Sequence, residues 1–148
     1  MTTIEWLPQL TNSLGWLFAL SFLAATLLPL GSEWLLVTML AEGGSAFALW
    51  CVATVGNGLG SVVNLLLGGW LAQHFLHNFD KPAWQRAQQW FRRFGIWSLL
   101  LAWVPVVGDP LTFIAGIFRV KVSFAIVLLF IGKALRYELL LAGYQVIP

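Results

Sequence analysis

Pro105-Val106-Val107-Gly108-Asp109-Pro110 stands near the middle of an apolar stretch, residues 95 to 118, and breaks it as a plain helix. Proline removes a backbone donor and clashes with the preceding turn, glycine frees the chain locally, and Asp109 puts a carboxylate where only apolar groups surround it. Residues 14 to 41 carry the same interruption, Pro29-Leu30-Gly31-Ser32-Glu33. The solvent around these breaks is read from composition: 59% of the 148 residues are apolar and 9% charged, against about 25% charged in a soluble domain. Residues 46 to 76 contain no Asp, Glu, Lys or Arg, which fits a membrane span. Non-helical backbone at membrane depth survives only where protein or enclosed water satisfies it. Each broken stretch therefore predicts a re-entrant hairpin, with breaks at Pro29 and Gly31 in the first and at Pro105, Gly108 and Pro110 in the second.

The charges orient these hairpins. Lys81, Arg86, Arg92 and Arg93 precede the second, and Arg119 and Lys121 follow it. The positive-inside bias assigns residues 77–95 and 119–121 to the cytoplasm, so this segment must enter and leave on one side. The first is flanked by Glu5 and Glu42 with no basic residue, which assigns its ends to the opposite face, and the two hairpins then point toward each other. The first basic residue is Lys81, so the start lacks the basic region of a signal peptide and the first apolar segment is expected to stay. The net charge of +2 gives no argument for nucleic acid. The single cysteine, Cys51, leaves no intrachain disulfide to form.

Between the hairpins, residues 46 to 76 make a helix of roughly 46 Å, longer than the ~30 Å hydrocarbon core, and span once. Gly56, Gly60, Asn64 and Gly68 recur every fourth residue and form a small-residue face for close helix packing; Asn64 is the position on it expected to touch a substrate. The same kind of face serves intrachain packing and a homodimer equally well. Residues 122 to 147 are long enough to span but contain Lys133, Arg136 and Glu138. Residues 82 to 94 set Trp84, Ala87, Trp90 or Phe91, and Phe94 opposite Gln85, Arg86, Gln89, Arg92 and Arg93, an amphipathic surface helix; residues 3 to 14 are a weaker counterpart. Pro29 to Pro105, Glu33 to Asp109 and Gly56 to Gly132 are each separated by 76 residues. The expected fold is one all-α integral membrane domain over 1–148, with halves of about 1–76 and 77–148. Two re-entrant helical hairpins and two spanning helices form an inverted repeat, with amphipathic surface helices added. Paired Gly/Pro interruptions of this kind point to a site at mid-bilayer.

Glu33, Asp109, Lys133 and Arg136 are ionisable groups at that depth, where each is costly unless it faces water or a partner, so they are expected to lie together. Lys133, Arg136 and Tyr137 occupy positions i, i+3 and i+4 and share one helix face, while Glu138 points elsewhere. Two acids and two bases could simply neutralise one another in a static core. The functional reading gives Glu33 and Asp109 to protons, because a carboxylate away from water holds its proton more tightly. It gives Lys133 and Arg136, with Tyr137 and Asn64, to an anionic substrate, because paired cations suit a phosphate. His74 and His77 lack a set of further ligands and read as interfacial, with no metal or cofactor expected. Asp109 has only Asp80 as a second aspartate, and Ser32 lacks a nearby histidine base; neither supports an enzyme. Trp6, Trp16, Trp84 and Trp90 fit interfacial anchors.

Several motifs stand together here: Leu28-Pro29-Leu30-Gly31-Ser32-Glu33, Gly56-Asn57-Gly58-Leu59-Gly60, Arg93-Phe94-Gly95, Pro105-Val106-Val107-Gly108-Asp109 and Gly132-Lys133-Ala134-Leu135-Arg136-Tyr137. In these, from about residue 20 to 138, the chain resembles the DedA superfamily (VTT or SNARE-associated membrane domain), most closely its short bacterial YqaA-like branch. The resemblance implies a multi-pass bacterial inner-membrane protein with two opposed re-entrant hairpins. It also implies a role in moving polyprenyl-phosphate or phospholipid carriers, coupled to the proton motive force. Glu33 matches the family's acid after the first hairpin's Pro-Gly, with Ser32 intervening. The family's two arginines around the second hairpin's proline are replaced by Ala102 and Gly108, and Lys133 and Arg136 are the substitutes expected from the residues themselves. The expected function is a flippase-like translocator of a lipid-phosphate or related anion, with membrane lipids and protons as partners. The alternative is a non-transporting membrane organiser whose polar core is structural and whose basic surface helix binds anionic lipid or a partner.

Overall fold

The structure is a computed structural model that describes residues 13–26, 32–75, 91–104 and 108–146, together with Gln85 and Gln89. Every regular element among the described residues is helical: α1 (Leu14–Thr26), α2 (Glu33–Ala41), α3 (Ala46–Phe75), a 3₁₀ helix (Gly95–Trp103) continuing a helical turn at 91–94, α4 (Gly108–Ile117) and α5 (Val122–Val146). Both apolar stretches are thus divided into two helices each. Pro29, Gly31 and Pro105, like most of the two amphipathic surface segments, lie outside the described residues. At the second interruption Gly108 and Pro110 lie in the first turn of α4. Proline is tolerated in a first turn, where its missing N–H has no intrahelical carbonyl to meet.

Short connections reverse the chain. Between α2 and α3, Gly43 takes φ +91° and Gly44 N–H donates to Met39 O at 2.9 Å. After α4 the left-handed position falls to Arg119, at φ +51°, with its N–H on Gly116 O at 3.0 Å. Glycine normally fills that position.

α3 has 30 residues and is the one helix among the described residues long and apolar enough to cross a membrane. α5 has 25 residues, about 37 Å at 1.5 Å per residue. Its apolar run is cut by Lys133, Arg136 and Glu138, so of the two expected spanning helices only α3 meets the test of length and composition. The polarity of α5 is nevertheless inside-out. Val127, Ile131, Leu135 and Leu139, four apart, are exposed, while Lys133 is fully buried. A helix of a soluble domain has the opposite arrangement.

Glycines let α1 and α4 close onto α3. A Cβ at Gly56 would stand 2.7 Å from Phe18 O and one at Gly60 2.5 Å from Phe22 O; one at Gly68 would collide with Phe113 O, and one at Gly116 with Leu65 O. The small-residue face therefore seats α1 along its first part and α4 along its last. α3 and α5 run antiparallel: Trp50 Nε1 donates to Ala134 O at 3.0 Å, and Gly58 faces the Phe130 ring. Two apolar clusters result. One joins Leu17, Leu35, Leu36, Met39, Leu49 and Ala53 to Tyr137 and Leu141. The other joins Leu65, Leu99, Ala102 and Ala115 to Ala125, Leu128 and Leu129.

Candidate functional site: two ion pairs between the apolar clusters

The stretch of α5 between its contributions to the two clusters carries the cations. Lys133 Nζ donates to Asp109 Oδ1 at 2.7 Å, and Arg136 Nη2 pairs with Glu33 Oε1. Both acids occupy the first turn of a helix that follows a proline in the sequence, Glu33 in α2 after Pro29 and Asp109 in α4 after Pro105. Carboxylates are favoured there because the first N–H groups of a helix have no intrahelical acceptor. Lys133 is completely buried, whereas the Asp109 side chain keeps 20% exposure and the Glu33–Arg136 pair is likewise partly open. The four ionisable groups expected to lie together are thus brought together as two separate pairs, one turn apart on α5.

Hydroxyls surround them. Tyr137, buried on the same helix face, shares a 2.7 Å hydrogen bond with Ser32, the residue before Glu33, and Ser21 flanks the same hydroxyl. Ser61 Oγ donates to Asp109 Oδ1 at 3.4 Å. Ser61 and Tyr137 are themselves 76 residues apart, and α5 begins 76 residues after α3. Each long helix therefore sends one hydroxyl, at matching positions, to the acid-bearing helix start of the other half. The sequence reading missed Ser61 and Asn57; carrying the 76-residue offset back from Tyr137 and Lys133 reaches both.

Asn64 faces protein. Its Nδ2 donates to Ala25 O at 2.6 Å, and the residue is 7% exposed. The last carbonyls of a helix lack intrahelical donors, and Asn64 supplies one at the end of α1. Asn57 braces the same helix through Nδ2 to Ser21 O at 3.1 Å. Glu138 points away from both pairs into a separate groove of about 360 Å³ shared with Phe47, Trp50 and Gln145. His74 bonds Trp70 O on the surface, and His77 lies outside the described residues. Cys51 is a free thiol.

A profile of the VTT domain matches residues 28–145, a range that holds both ion pairs. The chain belongs to the VTT domain family, the DedA family of membrane proteins. It is 46% identical over 127 residues to the inner membrane protein YqaA of Escherichia coli, covering 84% of this chain and 86% of that protein. The Shigella flexneri protein of the same name matches equally. A Haemophilus influenzae protein is 38% identical over 138 residues, 88% of this chain and 86% of the relative. No solved structure gives a significant match. Membership in a membrane-protein family gives α3, the described helix that meets the test for a span, a lipid solvent.

Proposed function

We propose that this chain is a multi-pass protein of the bacterial inner membrane that translocates a lipid-phosphate or related anionic substrate with proton coupling. The observation that carries the reading is the pair of acid–cation contacts between the first turns of α2 and α4 and a single face of α5. In this scheme α5 is the second spanning helix, and its charges are tolerated because partners neutralise them. The two broken segments are re-entrant hairpins. In support, the Phe91 and Phe118 rings, before and after the second break, lie 5.2 Å apart. Leu17 of α1 and Met39 of α2 likewise share one apolar cluster. The antiparallel course of α3 and α5, with their 76-residue offset, supports an inverted repeat.

With both pairs closed, the carboxylates hold the cations. Protonating Glu33 or Asp109 removes the negative charge, and Arg136 or Lys133 then has N–H donors to offer a phosphate. Proton and anion enter together, so neither an unpaired cation nor an unpaired anion is left in a medium where either is expensive. Loss of the proton on the other side restores the ion pair and expels the anion.

The test is transport of a polyprenyl phosphate in proteoliposomes with and without an imposed pH gradient. Wild type is expected to respond to the gradient, and Glu33→Gln and Asp109→Asn to lose that response; unchanged transport in both variants would sink the scheme. A second reading, a non-transporting organiser with a structural polar core, is favoured by one observation: Lys133 is wholly buried against its acid. It predicts that charge reversal at Arg92 and Arg93 harms the cell more than Glu33→Gln.

A further inference from the structure

Three polar side chains near the site remain outside the scheme. Ser21, Thr54 and Asn57 are 0%, 6% and 2% exposed. Among the hydrogen bonds of the described residues, Thr54 Oγ1 and Asn57 Oδ1 have no partner, and Ser21 Oγ has none within good geometry. The three residues are neighbours on α1 and α3. Asn57 reaches Ser21 through Nδ2 to the Ser21 carbonyl at 3.1 Å, and Thr54 stands one turn before Asn57 on α3. Leaving such a group dry costs about 1–3 kcal/mol each, and buried oxygens of this kind are characteristically bound to an internal water that needs two to four polar partners. Two hydroxyls and an amide oxygen supply donors and acceptors in that number. With no carboxylate or cation among them, a neutral ligand fits.

The cluster also has a position. On one side Ser21 flanks the Tyr137 hydroxyl, which bonds Ser32 beside Glu33. On the other, Ser61 follows Asn57 by one turn and donates to Asp109. We propose that Ser21, Thr54 and Asn57 bind water, and that this water completes a proton path between Glu33 and Asp109 along the face of α3. A proton accepted at one end is matched by one released at the other. Each hydroxyl and the water end as they began, and no co-reactant is consumed. The inference rests on the proton-coupled reading for its use, but the bound water itself does not.

Two measurements separate those parts. In proteoliposomes of the full chain, water-edited solid-state NMR is expected to show rapid magnetisation transfer from water to the Thr54 and Asn57 side chains, and slow transfer to Leu65 and Leu129. Slow transfer to Thr54 and Asn57 as well overturns the water site. In the same vesicles supplied with a polyprenyl phosphate, proton uptake driven by an imposed pH gradient and read with trapped pyranine is expected to fall to the protein-free level in Thr54→Val/Asn57→Leu. The isosteric Thr54→Val alone is the variant to use should the double variant fold poorly, and its uptake is expected to fall in part. Wild-type uptake in hydrated and dehydrated variants alike overturns the path. Absence of uptake in wild type overturns the path together with proton coupling, while a positive NMR result would still establish the water.

Discussion

Asp109→Asn and Lys133→Met should be unequal alone and nearly silent together. The Asp109 change leaves the Lys133 ammonium at zero exposure facing a neutral amide, and an uncompensated buried charge costs about 3–5 kcal/mol. The Lys133 change leaves a carboxylate that is one-fifth exposed and retains the Ser61 hydroxyl, so its loss is smaller, about 1–3 kcal/mol. Removing both charges returns stability to within about 1 kcal/mol of wild type, since replacing a buried pair by neutral groups of similar volume is often neutral or stabilising. A chain of this size shifts by about 2–4 °C per kcal/mol, so Asp109→Asn should melt about 10 °C low. Tryptophan fluorescence during heating in mild detergent reads all four proteins, and the double-mutant cycle gives the coupling. Losses that simply add in the double variant would refute the account of Lys133 and Asp109 as one buried pair.

Other outcomes follow from the same geometry. Gly68→Ala should lower stability by about 1–3 kcal/mol in the same melt, because its methyl meets the Phe113 carbonyl, which is backbone and cannot swing aside. Arg119→Gly should raise it by about 1 kcal/mol by relieving a left-handed backbone conformation. Tyr137→Phe leaves the Ser32 hydroxyl short of a partner and should cost about 1–2 kcal/mol. Asn64→Leu should cost a similar amount by stranding the Ala25 carbonyl at the end of α1, with substrate transport, where measured, retained by the folded fraction.

What could be read from residues alone was whatever depended on the chain's own periodicity. Proline and glycine beside an acid divide both apolar stretches, and the described helices respect that division on either side of 27–31 and 105–107. The need of buried charges for partners implied that Glu33, Asp109, Lys133 and Arg136 would meet, although which acid takes which cation depends on how α2 and α4 lie against α5. Asn64 exposed the limit of periodicity. Spacing put it on the small-residue face, but whether that face meets a substrate or the carbonyls of α1 is a tertiary fact. Nothing local marks Ser61 or Asn57, and the one sequence signal that reaches them is the 76-residue offset from Tyr137 and Lys133. The left-handed Arg119 was equally hidden, since nothing local marks a non-glycine residue for that position. A second span over 122–147 is legible from length alone, but Lys133, Arg136 and Glu138 set composition against it, and among the described helices α3 alone meets both criteria.

The most direct test of the opposed-hairpin architecture is cysteine accessibility from the two sides of the membrane in a Cys51→Ser background. Glu42→Cys and Lys121→Cys, exposed positions that follow the first and second broken segments, would each be challenged with an impermeant thiol reagent in sealed right-side-out and inside-out vesicles. The account predicts that Glu42→Cys reacts only from the outer face and Lys121→Cys only from the cytoplasmic face. Labelling of both positions from the same face would contradict it.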